Sequence, residues 1–277
     1  MTAVLWCPTC QQVETEPHPH KLERSQLIPE GAQFVKFGAP EYADTALWED
    51  YEAIFEAGVL FTDKGQLVRN LGLFSSPRLV RRLLHFWHLT QLVVNVPGAW
   101  LEFGVLYGRD LAWWHCLKTL NPYQHSYTRI VGFDTWGGHV GTHAKDGSSK
   151  RVVEGEFATP PNYPQFLRYV LAVLEQNFAV GPSALLVEGD VRDTLPQWLV
   201  EYPDQAVAFA YLDLDLYEPT RFVLEQLADR MPKGAVVGFD EFGANSYPGE
   251  ARAVAEVFGY NRALRRSPHG DWTYLVV

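Results

Sequence analysis

Cysteine is almost missing from this chain. Cys7, Cys10 and Cys116 are the only three among 277 residues, an odd and sparse set that makes a poor disulfide framework. Positive charge is also short: 23 Lys and Arg stand against 33 Asp and Glu, a formal charge of −10. Such a surface repels a phosphate backbone, so nucleic acid is disfavoured as a partner, whereas a small phosphorylated ligand needs only a few local cations. No apolar run is long enough to span a bilayer, and no basic segment followed by an apolar one opens the chain. The expectation is a cytoplasmic protein with no membrane partner. Internal repeats and low-complexity tracts are absent too. So is the dinucleotide fingerprint G-x-G-x-x-G, which weakens an NAD-dependent oxidoreductase reading.

What is present supports a large core, since hydrophobic residues make up 47% of the chain and aromatics 14%. Residues 1–30 lack periodicity and read as an N-terminal extension. Within them Cys7 and Cys10 flank a Pro-Thr knuckle, followed by His18 and His20, so that the four could supply Zn²⁺ ligands; an ordinary tail is the alternative. Residues 31–98 read as a helical segment, either a cap over a site or a face for a homo-oligomer. One helix is expected in 45–61, with Leu47, Tyr51, Ile54 and Phe55 on a stripe. Another starts at Ser76-Pro77, where Ser caps and Pro fills the first turn. The Arg and His residues of that second helix, His85 and His88 among them, are expected on a solvated face.

From residue 99 the text changes rhythm. AWLEF, RIVGF, SALLV, VAFAYL and GAVVGF read as strands. The helical runs GRDLAWWHCLKTL, NYPQFLRYVLAVLEQNF, EPTRFVLEQLADR and GEARAVAEVF alternate with them. This alternation implies a mostly parallel, doubly wound α/β sheet over 99–277. The Gly-Asp turn between the last two extended runs adds a terminal β-hairpin.

Ligands of open α/β sheets bind beyond the carboxyl ends of the strands, so the residues after each strand carry the chemistry. Glu102, Gly104 and Gly108 follow the first strand, and the glycines permit a tight turn at a helix N-terminus. Asp134, followed by Thr135 and Trp136, ends the second strand, where an acid can accept ribose hydroxyls or simply cap a turn. Gly189 and Asp190 follow the third, with Asp190 in reach of an adenine amino group; Asp193 is a candidate N-cap. Asp213 and Asp215 follow the fourth strand, and Asp240 and Glu241 the fifth. Four converging carboxylates are costly unless compensated. A hard divalent cation would resolve that cost, and a carboxylate left off the metal could act as a base. The alternative is that these acids cap helices or pair with Arg109, Arg192 or Arg252.

Taken in order, VPGAWLEFGVLYG, GFDTW, GEFATPPNY, VEGDVRDTLP, YLDLDLYEPT and FDEFG followed by YPGEARAVAE resemble the macrocin-type family of sugar O-methyltransferases. The resemblance runs from about Asn70 to the C-terminus. It implies a Rossmann-like class I methyltransferase fold with a seven-stranded sheet, and S-adenosylmethionine as cofactor. It also implies a deoxysugar acceptor, as a nucleotide-sugar or glycoside, in natural-product or glycan biosynthesis. Glu102, Gly104, Tyr107 and Gly108 would serve the cofactor's methionine side, Asp134 and Thr135 the ribose, and Gly189 and Asp190 the adenine. Asp213, Asp240 and Glu241 would hold Mg²⁺, and Asp215, beside Asp213, would be the base. Where the family often has two Asp, this chain has Asp240-Glu241, and the longer arm of Glu241 alters the geometry. The segment 137–162 is expected to be a mobile loop whose His139, His143, Lys145 and Arg151 meet an anionic group or remain solvated. A metal-dependent catechol or phenylpropanoid methyltransferase, and a non-catalytic relative of the fold, are the rival readings.

Overall fold

The structure is a computed structural model that describes residues 5–6, 13–14, 69, 71–120, 128–178, 184–261 and 263–277. The expected zinc ligands Cys7, Cys10, His18 and His20, and the helix expected over 45–61, lie outside the described residues. Strands β1 (Leu5–Trp6) and β2 (Val13–Glu14) form a separate antiparallel ribbon.

The remaining strands make one seven-stranded sheet: β3 (Ala99–Phe103), β4 (Ile130–Asp134), β5 (Leu185–Glu188), β6 (Val207–Leu212), β7 (Val236–Phe239), β8 (Leu264–Arg266) and β9 (Thr273–Val276). Their order is β5-β4-β3-β6-β7-β9-β8. The first five are parallel, and β9 runs antiparallel between β7 and β8. All six residues of β6 are buried, because helices cover both faces, and this is why the strand reads as an unbroken apolar run.

Among the described residues six α-helices pack on the sheet: α1 (Pro77–Leu92), α2 (Arg109–Thr119), α3 (Tyr163–Phe178), α4 (Val191–Glu201), α5 (Tyr217–Leu227) and α6 (Gly249–Val257). Phe86 and Leu89 of α1, Leu111 and Trp114 of α2, and Leu167 and Leu171 of α3 join one core with Trp100 and Phe209. Leu195 and Trp198 of α4, Val223 and Leu224 of α5, and Ala253 and Val254 of α6 join the other with Leu101 and Phe103. Successive strand residues alternate between these two cores, as the pleat requires. The result is a three-layer α/β/α arrangement. Among the described residues no helix is long and apolar enough to cross a membrane.

Two expectations need correction here. Helix α4 has Asp190 as its N-cap, accepting from the Arg192 N–H at 2.9 Å, so the candidate cap Asp193 lies inside the helix. On α1, Ser76 caps and Pro77 starts the helix as expected. Its basic residues, however, are not all solvated: Arg82 is 5% exposed and His85 wholly buried.

Candidate active site

The strand order reverses at β3, whose neighbours β4 and β6 lead the chain in opposite directions; crevices form at such switch points. The hydrogen-bond ladder runs one residue past each strand there. Gly104 N–H donates to the Phe133 carbonyl at 3.0 Å, Asp213 N–H to that of Phe103 at 2.8 Å, Asp240 N–H to that of Leu212 at 3.1 Å, and Gly189 N–H to that of Asp134 at 2.9 Å. These bonds fix the motif residues in a row along the rim. A cavity of about 380 Å³ opens above them.

One half of the cavity is lined by Gly104, Leu106, Asp134, Thr135, Gly189 and Asp190. Gly104 has φ +89°, and a Cβ there would lie 1.9 Å from the Asp213 carbonyl oxygen, so only glycine lets β3 and β6 close at this point. Asp134 accepts from the Leu106 N–H at 2.7 Å through one carboxylate oxygen and from the Trp136 N–H at 2.6 Å through the other. The indole N–H of Trp136 returns a bond to the Leu106 carbonyl at 3.0 Å. Asp134 therefore does cap a turn, yet a carboxylate with two oxygens retains acceptor capacity on each. Burial raises its pKa, and the backbone donors limit the rise. Asp190 is engaged by Arg192, whose hydrogen bonds hold its carboxylate below the ordinary value. Tyr107 and Glu102 do not line the cavity. Tyr107 packs edge-on against Tyr163 at 5.0 Å. Gly108, the left-handed N-cap of α2, sits against Leu167. Glu102 is 2% exposed with Oε2 unpartnered, and burial, then Asp110 and Asp213, push its carboxyl well above the usual range.

Asp213, Asp215, Asp240 and Glu241 come together in the other half of the cavity, as the strand ends imply. Their arginine partner is not one of those expected. Arg109 pairs with Asp110 at 2.7 Å, Arg192 with Asp190, and Arg252 reaches the Lys145 carbonyl. Arg82 comes from α1 instead. Its guanidinium donates to Asp110 at 2.6 Å and to Asp213 at 2.9 Å, and pairs with Asp240 as well. Phe86, Tyr211 and Trp272 surround it at 5.4 to 5.8 Å. The Tyr211 hydroxyl donates to Asp240 at 2.7 Å. Next to this network Glu250, fully buried, accepts the Glu241 N–H at 2.9 Å. Burial, then Asp240 and Glu241, push the Glu250 carboxyl well above the usual carboxylate range.

The segment 137–162 is fastened at several points. Asp146, wholly buried, accepts the Tyr217 N–H at the start of α5 at 2.5 Å and the His143 N–H at 2.6 Å. Lys145 is bound to the Tyr217 hydroxyl at 2.9 Å and to Glu256 at 2.5 Å, and the His143 ring lies against Tyr217 at 5.3 Å. His143 and Lys145 thus serve the outer face of α5 and α6. His139 and Arg151 line the cavity.

A methyltransferase-domain family matches residues 101–242, just over half of the chain. The crystal structure of CalS11, a calicheamicin methyltransferase, is 34% identical, with a TM-score of 0.80 over 89% of this chain and 97% of that one. The apo structure of CalS11, described as a TDP-rhamnose 3'-O-methyltransferase, is 33% identical over 88% of this chain and 99% of that one, with a TM-score of 0.72. This chain is an O-methyltransferase of the class I, S-adenosylmethionine-dependent family. The O-methyltransferase NovP, at 21% identity and a TM-score of 0.55 over 71% of this chain and 79% of that one, shares the fold. No curated protein matches the chain.

The cofactor half of this methyltransferase fits an adenosylmethionine. Gly104, Asp134, Thr135 and Gly189 line its wall, and among the described residues the nearby buried Glu102 leaves Oε2 without a hydrogen-bond partner. In the acidic half Arg82 is shared among three carboxylates, and among the described residues Glu241 makes no ion pair, Arg78 and Arg82 only partly offsetting its acidic neighbours. Burial, then Asp240 and Asp215, push Glu241 up to about 8, and burial, then Asp240, push Asp213 well above its usual value. All-oxygen donors lacking compensation suit a hard cation. Among the described residues no three donors are already arranged around one point, since Arg82 lies between Asp213 and Asp240.

Proposed function

We propose that this methyltransferase transfers the methyl group to a hydroxyl of a nucleotide-linked deoxysugar, with Mg²⁺ assisting. The observation that carries the reading is the likeness to CalS11 along nearly the whole of both chains. The acceptor half of the cavity agrees with it. Arg78 and Arg151 supply cations there for an anionic leash such as a diphosphate, and Phe157 and Ala244 supply apolar wall for a deoxygenated carbon. A glycoside acceptor is the second form of the same substrate class. A catechol would instead chelate through two adjacent oxygens.

The proposed roles follow the two halves of the cavity. Asp134 accepts the ribose hydroxyls, the Gly104 turn admits the methionine portion, and Gly189 and Asp190 border the adenine. Asp213, Asp240 and Glu241 would hold the metal, and Asp215 takes the proton from the acceptor hydroxyl. Bound adenosylmethionine would supply an electrophilic methyl, and a metal held by these carboxylates would lower the pKa of a hydroxyl that is otherwise a poor nucleophile. The protein's own part is alignment. Fixing both reactants in one cavity is worth up to roughly 7–11 kcal/mol in favourable cases.

The experiment is calorimetric titration with S-adenosylhomocysteine on the wild type and Asp134→Ala, followed by turnover with TDP-rhamnose and with catechol. Binding to the wild type, its loss in Asp134→Ala and methylation of the sugar nucleotide are the expected results. Methylation of catechol alone would replace the substrate reading.

The metal has its own test. Glu241 ionises in the folded protein only near pH 8, against 4.5 ordinarily. A carboxyl raised by folding contributes stability at low pH and loses it as pH rises from its unfolded to its folded value. MgCl₂ should therefore raise the unfolding midpoint, and raise it more at pH 8.5 than at pH 6. No response at either pH would remove the metal from the mechanism.

A further inference from the structure

Asp215 has an unusual backbone. Its φ is +60°, and the Leu216 N–H donates across it to the Leu214 carbonyl at 2.6 Å. A three-residue turn with positive φ at its centre is the rare, strained form of the γ-turn. Strain of this kind persists only where surrounding structure holds it. The side chain is 13% exposed, and its contact with the imidazole of His139, Nε2 to Oδ2 at 3.1 Å, is the candidate for that hold.

His139 is itself fixed from three directions. Its N–H donates to the Glu156 carbonyl at 2.9 Å, and its carbonyl accepts the Gly155 N–H at 2.9 Å. Phe157 packs edge-on against the ring at 5.2 Å. Gly138, just before it, has φ +82°, and a Cβ there would lie 2.3 Å from the Glu156 carbonyl oxygen, so glycine is what lets the two strips of chain approach. The turn from Asp134 to His139 thus begins at the cofactor half of the cavity and ends on the proposed base.

We infer that His139 is the positioning residue for Asp215, donating from Nε2 to hold the carboxylate over the acceptor hydroxyl. This rests on the reading of Asp215 as base. The ring is not the base in its own right: Nε2 is engaged by Asp215, and Nδ1 is buried and has no hydrogen-bond partner among the described residues. A base has to reach the proton it removes. An imidazole donating through Nε2 leaves Nδ1 as a bare acceptor, and a bare acceptor is the form that a pocket walled by Phe157 tolerates better than an unpartnered N–H.

The test uses the full chain with TDP-rhamnose as acceptor and compares His139→Leu, His139→Gln, Asp215→Asn and the double variant His139→Leu/Asp215→Asn. Glutamine can place an amide N–H near the position of Nε2; leucine cannot. His139→Leu should lower kcat by about 10–100-fold, the range for residues that orient a catalytic group. KM and S-adenosylhomocysteine affinity should stay at wild-type values. His139→Gln should recover most of the loss, and the double variant should be no slower than Asp215→Asn alone. Equal impairment in the Leu and Gln variants, or losses that add in the double variant, would overturn the inference while leaving Asp215 as the base. An Asp215→Asn enzyme as active as the wild type would overturn both. A second measurement needs no turnover: ¹⁵N spectra of the imidazoles, with His139 assigned by its disappearance in His139→Gln. Protonation on Nε2 is expected; a neutral ring protonated on Nδ1 would overturn the inference alone.

Discussion

Asp215→Asn is expected to lower kcat by roughly 10²–10⁴-fold, the usual contribution of a positioned proton acceptor, while S-adenosylhomocysteine binds with wild-type affinity. The choice of asparagine matters. Residue 215 has a left-handed backbone, and Asn and Asp are among the few side chains other than glycine that visit that region routinely. Asn also keeps the shape of the group that His139 holds. Asp215→Ala would confound loss of the proton acceptor with collapse of the turn. A sugar hydroxyl stays protonated near neutrality, so a variant that cannot accept its proton should fail in the chemical step and not in binding. Stopped or single-turnover methyl transfer with TDP-rhamnose separates the two. Unchanged turnover would remove the base assignment. A parallel loss of S-adenosylhomocysteine affinity would move Asp215 to the cofactor's side of the cavity.

The sheet and the rim of the cavity are legible in the sequence for a single physical reason. Parallel strands covered on both faces must be apolar throughout, so AWLEF and VAFAYL stand out. The polar residues that interrupt them at one end are the ones on the rim. Asp134, Asp213, Asp215, Asp240 and Glu241 all line the cavity for that reason. Helix α4 is less legible because Pro196 sits inside it, although the Gly189-Asp190 pair in front of it is an ordinary capping signal. Glu102 lies in β3 and Tyr107 follows it, but neither reaches the cavity wall, since position along a motif does not fix the direction of a side chain.

Arg82 and His139 lie beyond what local pattern can supply. His139 sits in a segment without periodicity, and its partner is 76 positions away. Arg82 did leave a trace. It shares the stripe of Phe86, Leu89 and Val93, all three of which are buried, at spacings of four, seven and eleven. A charged residue on an apolar stripe is a candidate for a buried ion pair. The text of α1 hides it among Arg78, Arg81 and His88, and two neighbouring arginines, 81 and 82, point about 100° apart. The acids it pairs with are far apart in the chain: Asp110 in the first turn of α2, and Asp213 and Asp240 at the ends of two strands. The arginines expected as partners were Arg109, Arg192 and Arg252, whereas the fold supplies the one on the helix that precedes the sheet.

Arg82→Met is expected to destabilise the protein by about 3–5 kcal/mol, the cost of removing one partner from a buried ion pair. Methionine keeps an unbranched side chain of similar length, so the loss reports the guanidinium, with its ion pairs and its place over Phe86 and Trp272, more than the volume. The pH dependence of stability should change as well. In the wild type burial raises the pKa of Asp110, but Arg82 and Arg109 more than offset this and hold it below the ordinary value. Its contribution is therefore present above the unfolded pKa and lost as pH falls through the folded one. Burial and Asp240 already raise Asp213 in the wild type, and without Arg82 they act on it less opposed. Carboxyls with raised folded pKa values stabilise below the unfolded pKa and lose that contribution as pH rises. The variant should thus unfold progressively more easily from pH 5 to pH 8 in urea titrations. Adding Asp240→Asn should return part of the lost stability, because it removes one of the charges left unpaired. Arg82→Lys should fall between, since a point charge cannot fork to three carboxylates as a guanidinium does. A loss in Arg82→Met no larger than that of a surface substitution, about 0.5 kcal/mol, and flat with pH, would mean that water or a bound cation already carries the charge balance of the site and that α1 is joined to it by packing alone.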